Sequence, residues 1–237
     1  DQEEVSKLFQ KYRLISIPVV DTENCMVGIV TFDDAMEVYQ EEMAEDIALM
    51  AAVQPSDDSY FGTSVLNHAK HRILWLLFLM LSATITGAII SRYEETISAI
   101  PLLVSFIPML MDTGGNCGTQ SSTLVIRGIA TDEIRFSDLF KVAFKESRIA
   151  LIVGAALAAV NGLRIIIMYH DPRLAILLGI SLMCTVFLAE LIGCLLPLLA
   201  KKVHLDPAIM AAPLITTIVD TGSIIIYFAI ATHLFAL

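Results

Sequence analysis

Apolar and polar positions along the chain follow two different rhythms, and the change between them near residue 55 divides the molecule. In EEVSKLFQKY, the apolar Val5, Leu8, Phe9 and Tyr12 recur at helical spacing. ISIPVVD and MVGIVT are short and rich in β-branched residues, which predicts two strands joined by a polar turn at Asp21–Asn24. Thr31, with Asp34 three residues on, has the pattern of a capping box and opens a second helix. That helix has two faces: Met36, Tyr39, Met43, Ile47 and Met50 make an apolar stripe. Asp34, Glu37, Glu41 and Glu45 recur on an acidic face, with Glu42 and Asp46 beside it, and Asp33 adds to the acidic charge of the helix.

A polar loop, QPSDDSYFGT at 54–63, closes this region, and Asn67, His68, Lys70, His71 and Arg72 form a basic collar after it. From there the apolar runs become long enough to cross about 30 Å of hydrocarbon at 1.5 Å per residue. Runs at about 73–90, 97–126, 149–168, 174–200 and 207–234 predict five membrane spans. The lone Trp75 stands near the start of the first, as an interface anchor would. The expected fold is therefore mainly α and polytopic, with three parts: 1–54 as an α/β segment and acidic helix, 55–72 as a juxtamembrane link, and 73–237 as a five-helix membrane domain. Lys and Arg collect in the collar, in the 127–148 link and at Lys201 and Lys202, which predicts that these loops and the N-terminal segment are cytoplasmic. Arg164 falls inside the third span and is expected to snorkel to the outer interface.

Composition supports a membrane protein, with 56% apolar residues and a mean hydropathy of +0.73. The formal net charge of −10 excludes a general affinity for nucleic acid, which needs a basic surface. Cys25, Cys117, Cys184 and Cys194 are scattered without zinc-ligand spacing and read as reduced packing residues. The opening DQEEVSKLFQ reads as a cut through a larger protein rather than a leader. No nucleophile–base pair or phosphate loop is evident, so no enzyme is expected.

Two polar seams interrupt the apolar spans. In PLITTIVDTGSIIIY, Pro213, Thr216, Thr217, Asp220, Ser223 and Tyr227 share one helical face. A charge near a bilayer centre costs about 2.5–3.5 kcal/mol, so Asp220 is expected to face a bundle interior or an aqueous path. In DTGGNCGTQSST, Asp112, Gly115, Asn116, Thr119 and Thr123 fall at i, i+3, i+4, i+7 and i+11, again one face. Gly114, Gly115 and Gly118 suit either close helix approach or local unwinding that frees carbonyls. The plainer readings are a small-residue packing face whose hydroxyls bond their own backbone, and a buried, paired Asp220. Glu190 stands between structural pairing and a pore role, and Glu146 is expected to pair locally with Lys145 or Arg148.

Oxygen donors without a His or Cys seam suit a hard divalent cation, and Mg²⁺ keeps much of its water, so one or two carboxylates suffice. A two-fold dimer would bring two copies of Asp220 to one axis. Two charges moving through 100 mV gain about 4.6 kcal/mol, which drives uptake with no coupled ion. The alternative is a coupled secondary divalent-cation transporter, in which Asp112 or Glu190 supplies a second ion site. A nucleotide-sensing membrane regulator is a third class.

The order helix, IPVVD, VGIVT, DDAMEV resembles the second half of a cystathionine β-synthase (CBS) domain repeat. Together with GGNCGTQSSTLVIRGIAT, FKES, HLDPA and PLITTIVDTGSIIIYF, the chain resembles the MgtE family of bacterial magnesium channels over nearly its whole length. The resemblance implies a homodimer in the bacterial inner membrane, with hydrated Mg²⁺ held near Asp220 between the second and fifth spans. It places Thr216, through its carbonyl, and Gly115 and Thr123 beside the ion, while Thr119 stands where family members carry Asn. It also implies a plug role for the acidic helix, closing the cytoplasmic mouth when Mg²⁺ bridges its carboxylates. A nucleotide site is implied for a complete CBS domain.

Overall fold

The computed structural model describes residues 2–56, 59–210 and 212–236, so Asp57 and Asp58 of the boundary loop lie outside the described residues. Two compact units are present. One holds the segment up to Leu49 together with Val53–His71, and the other holds Met50–Ala52 with the chain from Arg72 onward.

In the first unit, α1 (Gln2–Tyr12) precedes the strands β1 (Ser16–Val20) and β2 (Met26–Thr31), which pair antiparallel with a bulge at Val19/Val20. The turn between them is an Asx turn, in which Asp21 Oδ1 accepts from the Glu23 and Cys25 amides at 2.9 and 2.8 Å. Asn24 takes the positive φ that closes it. The capping box that opens α2 (Phe32–Met50) forms as the sequence suggests. Thr31 N and Oγ1 donate to Asp34 Oδ2 at 2.8 and 2.6 Å, and the Asp34 amide donates back to Thr31 Oγ1 at 3.4 Å. Those two donors hold the Asp34 carboxyl below the usual carboxylate range. Phe9, Ser6 and Ala35 are buried, whereas Ile15, Met26, Val27 and Ile29 stand open. The unit is thus one side of a hydrophobic layer without its other side.

The second unit is a helical bundle: α3 (Val65–Arg92) from Arg72 onward, α4 (Glu94–Ala99), α5 (Ile107–Ala130), α6 (Leu139–Tyr169), α7 (Pro172–Lys202) and α8 (Ala212–Phe235). The expected second span is not one helix. Pro101 opens a 3₁₀ segment, Pro101–Phe106, and Pro108 sits in the first turn of α5, so the apolar run continues through a backbone break. Among the described residues, four helical stretches are long and apolar enough to cross a membrane: 65–92, 136–169, 172–202 and 207–235. The 24-residue α5 is long enough but carries the polar seam.

Helix α7 is the centre of the bundle. Asp171 Oδ1 caps it by accepting from the Arg173 and Leu174 amides, with Pro172 at the first position where no donor is needed. Its buried residues form a broad face from end to end against which α5, α6 and α8 pack, while Ile176, Ile180, Cys184 and Phe187 make an exposed stripe. One core layer joins Leu103, Leu110, Ile165, Leu178, Tyr227 and Phe228. A middle layer joins Cys117, Ala150, Val186, Ala189, Ile215 and Val219, and a third joins Val125, Ile129, Cys194 and Leu198. Close approach of α5 and α7 depends on glycine: a Cβ on Gly193 would sit on the Gly118 carbonyl and 3.0 Å from Ser121 Cβ. Helix α3 is largely exposed apolar surface, joined to α8 where the hydroxyls of Thr86 and Thr221 lie 2.8 Å apart. The exposed Arg164 guanidinium reaches Met109 Sδ at 3.5 Å.

Candidate functional site

Along α5 the residues divide by face. Asp112, Asn116, Gln120 and Thr123 are exposed and Thr119 half-exposed, whereas Gly114, Cys117, Gly118, Ser121 and Ser122 are buried. Gln120 apart, the exposed set belongs to the seam expected from spacing. Gly115 is buried because Thr216 of α8 packs on it, and a Cβ there would stand 3.0 Å from Thr216 Cγ2. Gly115 and Thr216 are therefore brought together at the seam's edge. Asp220, one turn beyond Thr216, is half-buried. Asp112, Asn116, Thr119, Thr123, Thr216 and Asp220 thus form a strip along the α5–α8 seam that is polar and partly open.

The α8 seam does not stay open along its length. Ser223 and Tyr227 are fully buried. Ser223 Oγ donates to Val219 O at 2.7 Å, and Tyr227 Oη donates to Leu103 O at 3.0 Å, anchoring the 3₁₀ segment over the end of α8. The threonines bond their own helices: Thr119 Oγ1 to Gly115 O (2.8 Å), Thr123 to Thr119 O (2.9 Å), and Thr216 and Thr217 to Pro213 O (3.0 and 2.9 Å). Helix α5 is continuous through its glycines, so close approach is realised and local unwinding is not. Among the described residues, no three His, Cys, Asp or Glu side chains gather as a metal cage.

Glu146 corrects the expectation of a local ion pair. It is 6% exposed and accepts from Ser121 Oγ at 2.9 Å. The same hydroxyl lies 3.1 Å from the Glu190 backbone carbonyl oxygen. Side chains one or two residues apart do not share a helix face, which keeps Lys145 and Arg148 away. A readable signal was present in the spacing: Glu146, Ala150, Gly154, Asn161 and Ile165 lie along the buried face of α6. Glu190 is likewise buried, at 5% exposure, behind the strip rather than on it. On α2, Asp33, Asp34, Glu37, Glu41 and Glu45 are exposed and Asp46 is half-buried.

Long apolar helices around a central one, with carboxylates on a partly open seam, define a polytopic membrane protein. A family model described as the MgtE divalent cation transporter matches residues 107–230, and a CBS-domain model matches residues 1–41. The chain is 37% identical over 233 residues to the magnesium transporter MgtE of Thermus thermophilus, covering 98% of this chain and 51% of that protein. Against the magnesium transporter MgtE of Bacillus subtilis it is 37% identical over 232 residues, and against that of Enterococcus faecalis 34% over 236, with the same coverage. The chain belongs to the MgtE family, one of transporters and not of enzymes. It spans about half the length of the curated relatives it matches.

Proposed function

We propose that this chain forms the pore and part of the gate of a Mg²⁺-selective channel that takes up magnesium down the membrane potential. Two copies pair through the membrane domain, with α5 counted as the fifth span, and the strips of both copies face a common axis. Hydrated Mg²⁺ passes there, held by Asp220 with Thr216 and Gly115 beside it, and by Asn116, Thr119 and Thr123 through its water. The N-terminal unit lies on the cytoplasmic side of a bacterial inner membrane. There, Mg²⁺ bridging the acids of α2 closes the mouth, and a complete CBS domain offers a nucleotide site.

The observation that carries this reading is the exposure of Asp112, Asn116 and Thr123 beside a half-buried Asp220 on an otherwise apolar bundle. Lipid cannot solvate such a strip, so water and a second copy are its natural cover. The relatives' printed name, magnesium transporter, supports the choice of cargo. The test is Mg²⁺ flux into liposomes bearing the reconstituted protein. Asp220→Asn is expected to lower flux at least about tenfold, the equivalent of about 1.4 kcal/mol. Wild-type flux is expected to survive collapse of sodium and proton gradients. Unchanged flux in Asp220→Asn sinks the pore assignment, and flux that dies with either gradient favours coupled transport. For the gate, proteolysis within 34–50 is expected to slow when Mg²⁺ is added; protection independent of Mg²⁺ refutes it.

A further inference from the structure

The hydrogen bonds behind α5 have no place in the ion path, yet they join three helices. Ser121 lies about 160–180° around α5 from Asp112, Thr119 and Thr123, so it points directly away from the strip. Its hydroxyl is shared between Glu146 Oε2 on α6 and the Glu190 carbonyl on α7. Both glutamates are buried, and among the described residues the ion pairs are Lys7–Glu3 and Lys141–Asp138, so no Lys or Arg bridges either of them. Gly118 and Gly193 pack backbone to backbone one turn away, leaving no room for α5 to turn without losing these bonds.

We propose that Ser121, Glu146 and Glu190 are positioning residues that fix the rotation of α5 and so decide which of its oxygens face the passing ion. This rests on the reading of the α5–α8 strip as the ion path. A rotation of α5 by a fraction of a turn would exchange Thr119 and Asn116 at the path, changing the reach and number of oxygens offered to a hydrated cation. Selection between Mg²⁺ and the larger, more readily dehydrated Ca²⁺ depends on that geometry. Glutamine at position 146 keeps a side-chain oxygen that can accept from Ser121, so it preserves the clamp, whereas alanine removes it.

The experiment measures Mg²⁺ and Ca²⁺ flux separately in liposomes for wild type, Glu146→Gln, Glu146→Ala, Ser121→Ala and Asp220→Asn, each normalised to folded protein by size exclusion. Glu146→Ala and Ser121→Ala are expected to shift the Mg²⁺:Ca²⁺ ratio about tenfold, with Glu146→Gln within about twofold of wild type. If Glu146→Ala does not fold, the smaller deletion in Ser121→Ala carries the test. A loss of folded protein with the ratio unchanged in what remains assigns the network to stability alone and overturns the proposal. A Glu146→Gln ratio as altered as that of Ser121→Ala overturns it too, since charge rather than hydrogen bonding would then matter. Failure of the underlying reading shows separately, as unchanged flux in Asp220→Asn.

Discussion

The crossing of α5 and α7 gives the sharpest test of the packing. Replacing Gly193 by alanine adds one methyl where the Gly118 carbonyl already stands, with Ser121 Cβ 3.0 Å away. The obstacle is backbone, so no rotamer change relieves it, and the two helices must part by about 1 Å to restore ordinary contact. Overpacking of this kind costs about 1–3 kcal/mol, and a backbone obstacle puts Gly193→Ala in the upper half. For a chain of this size that is a fall of about 4–10 °C in the unfolding midpoint. The same 1 Å stretches the Ser121 Oγ–Glu190 carbonyl contact from 3.1 Å to beyond hydrogen-bond range, so the selectivity shift expected of Ser121→Ala should appear here as well. The measurement is thermal unfolding in detergent beside Gly162→Ala, a helical glycine with nothing within 4 Å of its would-be Cβ. Gly162→Ala should leave the midpoint unchanged or raise it, since alanine is the better helix former. Equal midpoints for Gly193→Ala and wild type would refute the close crossing.

Two further outcomes follow from single contacts. Tyr227→Phe removes the hydroxyl that holds the Leu103 carbonyl and keeps the ring in its fully buried slot, so it should cost about 0.5–1.5 kcal/mol in denaturant unfolding. A larger loss would mean that the 3₁₀ segment depends on this bond alone. In the N-terminal unit, the lowered pKa of Asp34 makes its cap contribution complete above the unfolded carboxyl value of 3.8. That contribution is lost as pH falls through the lower folded value. Amide protection at the start of α2, relative to the intrinsic exchange rate at each pH, should therefore fall in acid for wild type more steeply than for Asp34→Asn, and parallel profiles would contradict the box.

Short-range chemistry was the most legible part of the sequence. The Asx turn at Asp21, the box at Thr31 and Asp34, and the split of α2 into acidic and apolar faces all depend on residues within four positions of one another. Helices α6 to α8 were equally readable, since length and apolarity leave few alternatives. The break ahead of α5 was hidden because apolar side chains continue across Pro101–Phe106, and hydropathy does not register a backbone change. On α5 itself, spacing found the exposed strip, but among so many small residues it could not say which serine turns inward. Only α6, with Glu146 on its buried face, picks out Ser121. On α8, one helical face runs from half-exposed Asp220 to buried Tyr227, because burial depends on what covers each turn rather than on periodicity.

On the proposed ion path, the bonding of the threonines on and beside the strip has a consequence for the sign of charge admitted. Thr119, Thr123, Thr216 and Thr217 each turn their hydroxyl hydrogen back along their own helix, so what they show outward is lone pairs. A cation arrives with its water hydrogens pointing out and meets an acceptor at every such step. A chloride ion, with its shell oriented the other way, would find no matching hydrogen on these four residues, even with a neighbouring carboxylate neutralised.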